Sequence, residues 1–379
     1  MAVAEPDTRQ TKMGITDILQ NLSLAVPPIA SVSINGVDRL ELIPTGKSTI
    51  KYNKSECLSK PLGKVLRTYH RKMKESNTPS EKMTKFILTL ADGSDSEVTE
   101  YHNSIQPLAR WFIETADDVD LADASRGYWK VMYLFRYLES ESSQSSTLGL
   151  AGYFTLLHVK SPFRKPRPGI IVRVCQALIL PPYHRAGHGS EMLKSIHDYA
   201  ENTVVDASSG MEIVEINVED PAPAFVALRD AVDYHRFTST EKDRINHLLE
   251  HDVTKKEFFE ISEETLLSVA ACMRVTKRQA LTMHQLWKLQ RIMSWKESFS
   301  SDGRSIIDDN LIQEVETKYR LMVKKSLKAL RQEELGACQS GKDGQKALLG
   351  RWFDETMCHF QRILMTASPN NKIDTHSSA

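Results

Sequence analysis

Two groups of residues in this chain have the types and spacing for chemistry. The first is a glycine-spaced turn. Gln176-Ala-Leu-Ile-Leu-Pro-Pro-Tyr-His-Arg-Ala-Gly-His-Gly-Ser190 leads from an apolar run through Gly187 and Gly189. Ala177 to Leu180 reads as a buried strand. Pro181 and Pro182 cannot donate ladder hydrogen bonds, so pairing is expected to stop there and the strand to splay from its neighbour. Met192, Ile196 and Tyr199 then recur at helical spacing. A strand, a Gly-x-Gly turn and a helix start leave backbone N–H groups aimed outward, an anion site suited to a diphosphate. The second group is Glu219 and Asp220. Ile213, Glu215, Asn217 and Glu219 alternate with Val214, Ile216 and Val218, which predicts a strand. Asp220 is the expected N-cap of a helix with Pro221 at its first position, followed by Phe225, Leu228 and Val232. Glu219 then stands at the C-terminal end of a strand, where α/β sheets hold ligands. The same Glu-Asp-Pro also reads as an acidic helix start favoured by the dipole.

The glycine spacing is neither the triphosphate loop nor the dinucleotide fingerprint. It resembles the Arg/Gln-x-x-Gly-x-Gly/Ala turn of GNAT-superfamily acetyltransferases, which holds the pyrophosphate of coenzyme A. His184 stands where that pattern has Arg or Gln, with Arg185 one step later. A third segment is more specific: His102-Asn-Ser-Ile-Gln-Pro-Leu-Ala-Arg-Trp-Phe-Ile-Glu-Thr115, ahead of a strand-like Trp129 to Phe135. Together with Gln176-Ala-Leu-Ile-Leu180, Ala186-Gly-His-Gly189 and Val218-Glu-Asp-Pro221, it closely resembles the catalytic subunit of type B histone acetyltransferases. The resemblance runs from about Gly36 to about Trp295.

That resemblance implies an α+β fold, a GNAT-type mixed sheet with splayed central strands. It implies transfer of acetyl from acetyl-CoA, without a metal, to lysine in the tail of newly made histone H-four. A lysine ammonium, with a pKa near ~10.4, must lose a proton before it can attack a thioester. A carboxylate near ~4.3 is a poor base until burial or a second carboxylate raises it. Carried over through the matched motifs, Glu219 is the general base, directly or through water. Glu114 and Asp220 are auxiliary carboxylates, and the set titrates together. Backbone N–H groups of Ala177, Leu178 and Ile179 are the expected donors to the oxyanion and the pantetheine amides. His184, Arg185, Ala186, Gly187, His188, Gly189 and Ser190 would wrap the pyrophosphate. His188 itself reads more readily as a packed turn residue than as a base.

The substrate side leaves alternatives open. Asp117, Asp118, Asp120 and Asp123 either line the path of a cationic tail or form a solvated loop. Trp111 and Tyr128 read as core residues. Arg164, Lys165 and Arg167 either meet the cofactor's 3′-phosphate or belong to an exposed hairpin. No Cys or Ser is placed as an acyl carrier, so attack is expected to be direct, in a ternary complex. The resemblance also implies a nuclear and cytoplasmic location and a β-propeller histone chaperone as partner. The N-terminal region through which family members engage that chaperone finds no match here. A GNAT enzyme for another protein or a small amine, and a catalytically silent chaperone module, are the alternatives. Intact Glu114, Glu219 and Asp220 argue against the silent module.

Composition narrows the field further. Lys+Arg and Asp+Glu both number 49 in 379 residues, a balance that disfavours binding to free nucleic acid. The five cysteines (Cys57, Cys175, Cys272, Cys338, Cys358) lack zinc-ligand spacing and fit a reduced compartment. Cys175 reads as a small core residue. The first residues lack the apolar core of a signal peptide, and no apolar stretch is long enough to span a bilayer.

Residues 1–35 read as a partly disordered tail, and 36–103 as an N-terminal α/β domain with a strand at Lys85–Leu90. An acetyltransferase core is expected over 104–237, opening with a helix at Gln106–Thr115, then strands at Trp129–Tyr137 and Leu148–Val159. Residues 238–335 form a helical domain, with helices expected at Glu241–Glu260, Glu263–Arg274, Thr276–Trp295 and Leu311–Glu334. Leu267 to Trp287 superficially suggests a helix-turn-helix, but its apolar face fits a packed bundle better. Residues 336–379 read as a polar tail, disordered apart from Trp352 to Met365.

Overall fold

A computed structural model describes residues 40–42, 48–50, 58–74, 81–114, 116–138, 147–165, 167–202, 204–206, 211–239, 252–301, 309–338 and 340–367. The expectations for the 1–35 tail, for residues 241–251 of the helix expected at Glu241–Glu260 and for the last residues lie outside them. The fold is α+β. Strands β1 (Leu40–Leu42) and β2 (Ser48–Ile50) form a small antiparallel pair. The main sheet has seven strands: β3 (Lys64–Lys74), β4 (Glu81–Asp92), β5 (Tyr128–Leu138), β6 (Thr147–Ser161), β7 (Gly169–Ile179), β8 (Val204–Asp206) and β9 (Met211–Val218). Their order is β3-β4-β5-β6-β7-β9-β8. Strands expected from alternation and apolar runs are all present, and β7 is longer than the apolar run Ala177–Leu180 alone suggests. The chain divides into two units, Met1–Thr155 with Gln176–His188 and Leu156–Cys175 with Gly189–Ala379; β6 and β7 each run through both.

In the first unit, β3, β4 and β5 pair antiparallel, with Tyr69 opposite Phe86 and Leu88 opposite Leu134. Alternate side chains of β4 are buried, and Phe86, Leu88, Tyr133 and Phe135 lie fully inside. Each such burial stabilises by about 1.5–3 kcal/mol. Helix α1 (Ser96–Ile105) starts where the Asp95 carboxylate accepts from the Glu97 N–H at 2.9 Å. The expected helix over Gln106–Thr115 is shorter: α2 spans Pro107–Phe112, with Pro107 at its first turn and Ile113 already extended.

In the second unit, β7 and β9 pair in parallel from Ile170↔Ile213 to Val174↔Val218. Helices α3 (His188–Asn202) and α4 (Pro223–Ser239) accompany these strands. Met192, Ile196 and Tyr199 form the buried face of α3, as their spacing predicts. Helix α4 begins at Pro223, two residues later than expected. Asp220 is therefore not its N-cap: Ala222 O accepts the first helical bonds, from Phe225 and Val226. Helices α5 (Glu263–Met273), α6 (Lys277–Ser301), α7 (Asp309–Leu330), α8 (Gln332–Gly336) and α9 (Gly341–Ala367) complete the unit. They pack around Phe258, Val269, Met283, Leu286, Val315 and Val323. The bundle reading of Leu267 to Trp287 agrees with this packing. Arg274 ends α5 in a left-handed conformation (φ 53°), accepting from Ile216 N–H at 2.8 Å and donating from Nε to Ile213 O at 3.1 Å. These two bonds fix β9 to the helices. The polar tail is expected to be ordered only over Trp352 to Met365; the helix instead runs over Gly341–Ala367, with Trp352, Phe353, Phe360 and Ile363 supplying its buried stripe.

Candidate active site

The glycine turn sits in the first unit. β7 ends at Ile179, and Pro181–Tyr183 make one turn of 3-10 helix. Arg185 (φ 62°) and Gly187 (φ 81°) then take left-handed conformations on either side of Ala186. Such an alternation turns successive peptides and suits glycine at 187. A Cβ at Gly187 would meet only Arg71 Nε, at 3.8 Å, so conformation rather than space selects glycine there. Gly189 is different: a Cβ there would come within 2.7 Å of Leu228 Cδ2, so close packing of α3 on α4 selects it. His184, at the position usually filled by Arg or Gln, has its Nε2 2.6 Å from the carbonyl of Ile179. The carbonyl can only accept, so Nε2 carries the proton, and the ring ties the strand end to the turn. His188 opens α3 and is buried. Its Nδ1 lies 2.8 Å from the Tyr69 hydroxyl, and its ring packs on Phe86 at 4.2 Å. Burial, with the Arg71 guanidinium nearby, holds the imidazole down at about 4, so it is neutral at physiological pH.

Ahead of the turn, Leu178 is buried while Ala177 and Ile179 are half-buried. Gly152 on β6 lets the two backbones come close: a Cβ there would stand 2.5 Å from Leu178 O. Leu180 N–H donates to Ala151 O at 2.9 Å. Gln176 donates from Nε2 to Asp117 O at 2.7 Å, holding the acidic loop to this strand.

Glu219 and Asp220 belong to the second unit. The Glu219 N–H donates to Val174 O at 3.0 Å, one step beyond the last β7–β9 pair. Both carboxylates are exposed. Of the two routes expected to strengthen the base, burial or a second carboxylate, burial is thus absent, and Glu219 keeps its hydration until something covers it. Asp220 holds φ 35°, a strained value for a residue with a Cβ. In the β7–β9 register Cys175 falls opposite Glu219. Burial, and a hydrogen bond to Glu219, push the Cys175 thiol up to about 12. A thiol so protonated is a poor nucleophile. Iodoacetamide at neutral pH is therefore expected to alkylate exposed Cys358 and spare Cys175 in the native protein, as read by peptide mass mapping. Rapid labelling of Cys175 would contradict the burial described here.

Glu114 lies in the turn after α2, in the first unit, and is exposed. Trp111, expected in the core, is 48% exposed, and Phe112 is 37% exposed. The six-residue α2 is too short to turn both its faces inward, and these two rings remain at the surface beside Glu114. The acidic loop is organised locally. Asp120 and Asp123 accept from the N–H groups of Ala122 and Ser125, and Asp118 approaches Arg110 at 3.5 Å. In the second unit, Arg164 pairs with Glu215 at 2.6 Å and Arg167 with Glu212 at 3.2 Å. These two arginines neutralise β9, which favours the structural reading of the basic loop. Arg71, whose Nε donates to Ala186 O at 3.2 Å, was invisible to sequence reasoning because 115 positions separate the two residues. Among the described residues, no group of three or more His, Cys, Asp and Glu side chains could hold a metal ion. None of the described helices is long and apolar enough to cross a membrane.

Comparison with known proteins places these features. No protein-family model matches the chain. A histone acetyltransferase type B catalytic subunit of Mus musculus is 30% identical over 305 residues, covering 78% of this chain and 65% of that protein. The protein of the same name from Rattus norvegicus is 33% identical over 198 residues, 51% of this chain and 42% of its own length. A Dictyostelium discoideum protein of that description is 31% identical over 224 residues, 58% of this chain and 42% of its own. The chain thus spans between two-fifths and two-thirds of the length of these relatives. The chain is a homologue of the type B histone acetyltransferase catalytic subunits.

Proposed function

We propose that the chain is a GNAT-type acetyltransferase that moves acetyl from acetyl-CoA to lysine side chains in the tail of newly made histone H-four. The observation that carries this reading is its kinship with catalytic subunits named as histone acetyltransferases. The continuation of β7 past its last pair with β9, into a turn with two left-handed residues, supports the splayed-strand site of that superfamily. Backbone N–H groups of the turn residues Arg185 to His188 suit the diphosphate of the co-substrate. Backbone N–H groups of Ala177 to Ile179 are the proposed donors to the developing oxyanion.

In the proposed mechanism, the Glu219 carboxylate takes a proton from the lysine ammonium, directly or through one water. The freed amine attacks the thioester carbon, the C–N bond forms, the C–S bond breaks, and the thiolate leaves, taking up the second proton that the new amide nitrogen sheds. Covering of Glu219 by the bound substrates is the step that would strip its hydration and strengthen it as a base. Glu114 and Asp220 are the proposed auxiliary carboxylates. The same proposal includes Asp117, Asp118, Asp120 and Asp123 as an acidic attraction for a cationic tail. A β-propeller histone chaperone as partner, and a nuclear and cytoplasmic location, also belong to it.

The test is incubation with labelled acetyl-CoA and, separately, histone H-four tail peptides, other histone peptides and polyamines. Label on the H-four tail is the expected result. Label on polyamines alone would replace the substrate with a small amine. Acetyl-CoA binding without transfer to any acceptor would leave a silent module.

A further inference from the structure

The glycine turn is held from one side by the inward face of β3. Tyr69, Arg71 and Met73 alternate on that face, while His70 and Lys72 point to solvent. The Arg71 guanidinium stacks over the Tyr69 ring at 4.9 Å, donates from Nε to Ala186 O at 3.2 Å, and donates from a terminal nitrogen to its neighbour's carbonyl, His70 O, at 3.0 Å. Tyr69 meets His188 Nδ1 at 2.8 Å. Two side chains of one strand therefore grip both ends of Ala186–His188.

The geometry of a peptide gives this grip a consequence. In a planar trans peptide, the carbonyl and the following N–H point in opposite directions. Arg71 holds Ala186 O toward β3, so the Gly187 N–H points away from β3. Gly187, which takes a left-handed φ of 81° and is permissive in that angle, does little by itself to fix that peptide's orientation. A cationic donor on the carbonyl also polarises the peptide and strengthens the N–H on its far side. His184, in the position of the superfamily's Arg or Gln, spends its ring on Ile179 O. We propose that Arg71 is a positioning residue of this turn, fixing the Ala186–Gly187 peptide so that the Gly187 N–H is presented to the diphosphate of an acyl-CoA. This inference rests on the acetyl-CoA reading above.

The test compares Arg71→Gln and Arg71→Lys with wild type against two ligands, acetyl-CoA and S-acetylpantetheine, which lacks the diphosphate. Acetyl-CoA binding is measured by calorimetry, and kcat and KM with both donors. Removing a charge-assisted hydrogen bond is expected to weaken acetyl-CoA binding by roughly tenfold in Arg71→Gln, raising KM and leaving kcat unchanged. S-acetylpantetheine should be used equally well by both proteins. Arg71→Lys, which keeps the charge without the planar fork, should recover part of the loss. Equal losses for the two donors, or no loss with acetyl-CoA, would overturn the proposal. If Arg71→Gln melts early, the ratio of losses in Arg71→Lys decides by the same criterion. Calorimetry needs no turnover, so a wild type that binds acetyl-CoA but acetylates nothing sinks the enzymatic reading while the dissociation constants still decide Arg71. A wild type that does not bind acetyl-CoA overturns both.

Discussion

Glu219→Gln is expected to lower kcat by roughly 10²–10⁴-fold, the usual loss when a general base is removed, with acetyl-CoA affinity intact. The substitution is nearly isosteric and sits on an exposed side chain, so the fold should not change. The backbone bond from Glu219 N–H to Val174 O survives it, because no side-chain atom takes part. Glu114→Gln and Asp220→Asn should cost less, since each leaves a carboxylate to accept the proton. In Asp220→Asn the relief of charge leaves the left-handed backbone in place, because asparagine tolerates that conformation as well as aspartate does. The measurement is single-turnover transfer to a tail peptide, with acetyl-CoA affinity taken separately. A Glu219→Gln protein that binds acetyl-CoA normally and turns over near the wild-type rate would show that the base is misassigned. Binding and rate falling together would instead mean that Glu219 shapes the cofactor site rather than the proton transfer.

The strands and helices that frame these residues were legible because their signals are local. Alternation over Met211–Val218 and helical spacing over Met192, Ile196 and Tyr199 need no knowledge of the rest of the chain. Distances along the sequence explain what was missed. The partners of Arg164 and Arg167 lie on β9, 51 and 45 positions away, so their charges looked available for a phosphate. Arg71 has no motif of its own and acquires meaning only when β3 is brought against the turn. Local chemistry also misled where two rules competed. Asp220-Pro221 is a good helix start on paper, yet a second proline at 223 offers the same preorganised φ, and the helix takes that one. Trp111 looked apolar enough for the core, but α2 ends one residue after it. The proposed reaction rests on the names of the relatives. Neither the turn nor the Glu-Asp pair could have named it.

Lys288→Met is expected to stabilise the protein, and more at pH 6 than at pH 9. Lys288 on α6 is completely buried, and its ammonium has no hydrogen-bond partner. Phe258 lies 4.0 Å away by ring centroid and Trp287 4.8 Å, so cation–π attraction offsets only part of the lost hydration. Burial, with Arg291 adding repulsion, pushes the Lys288 ammonium from its usual 10.5 down to about 7. One turn earlier, His284 is also buried with both ring nitrogens unpartnered, and burial with the Lys288 charge holds it down at about 3. Between about pH 7 and 10.5 the native chain gives up the Lys288 proton while the unfolded chain keeps it. Stability attributable to this residue therefore rises with pH across that window, and the full penalty is present below it. Methionine matches the length and volume of the lysine stem among Phe258 and Trp287 and carries no charge. Replacing an unpaired buried charge in this way should add about 1–4 kcal/mol at pH 6, and raise Tm by several degrees. By pH 9 much of the wild-type penalty is gone, so the gain should shrink. Thermal unfolding of both proteins at the two pH values measures the difference. A variant less stable than wild type at pH 6, or a gain that does not change with pH, would mean that the ammonium finds hydration inside the bundle and is not held there at a cost.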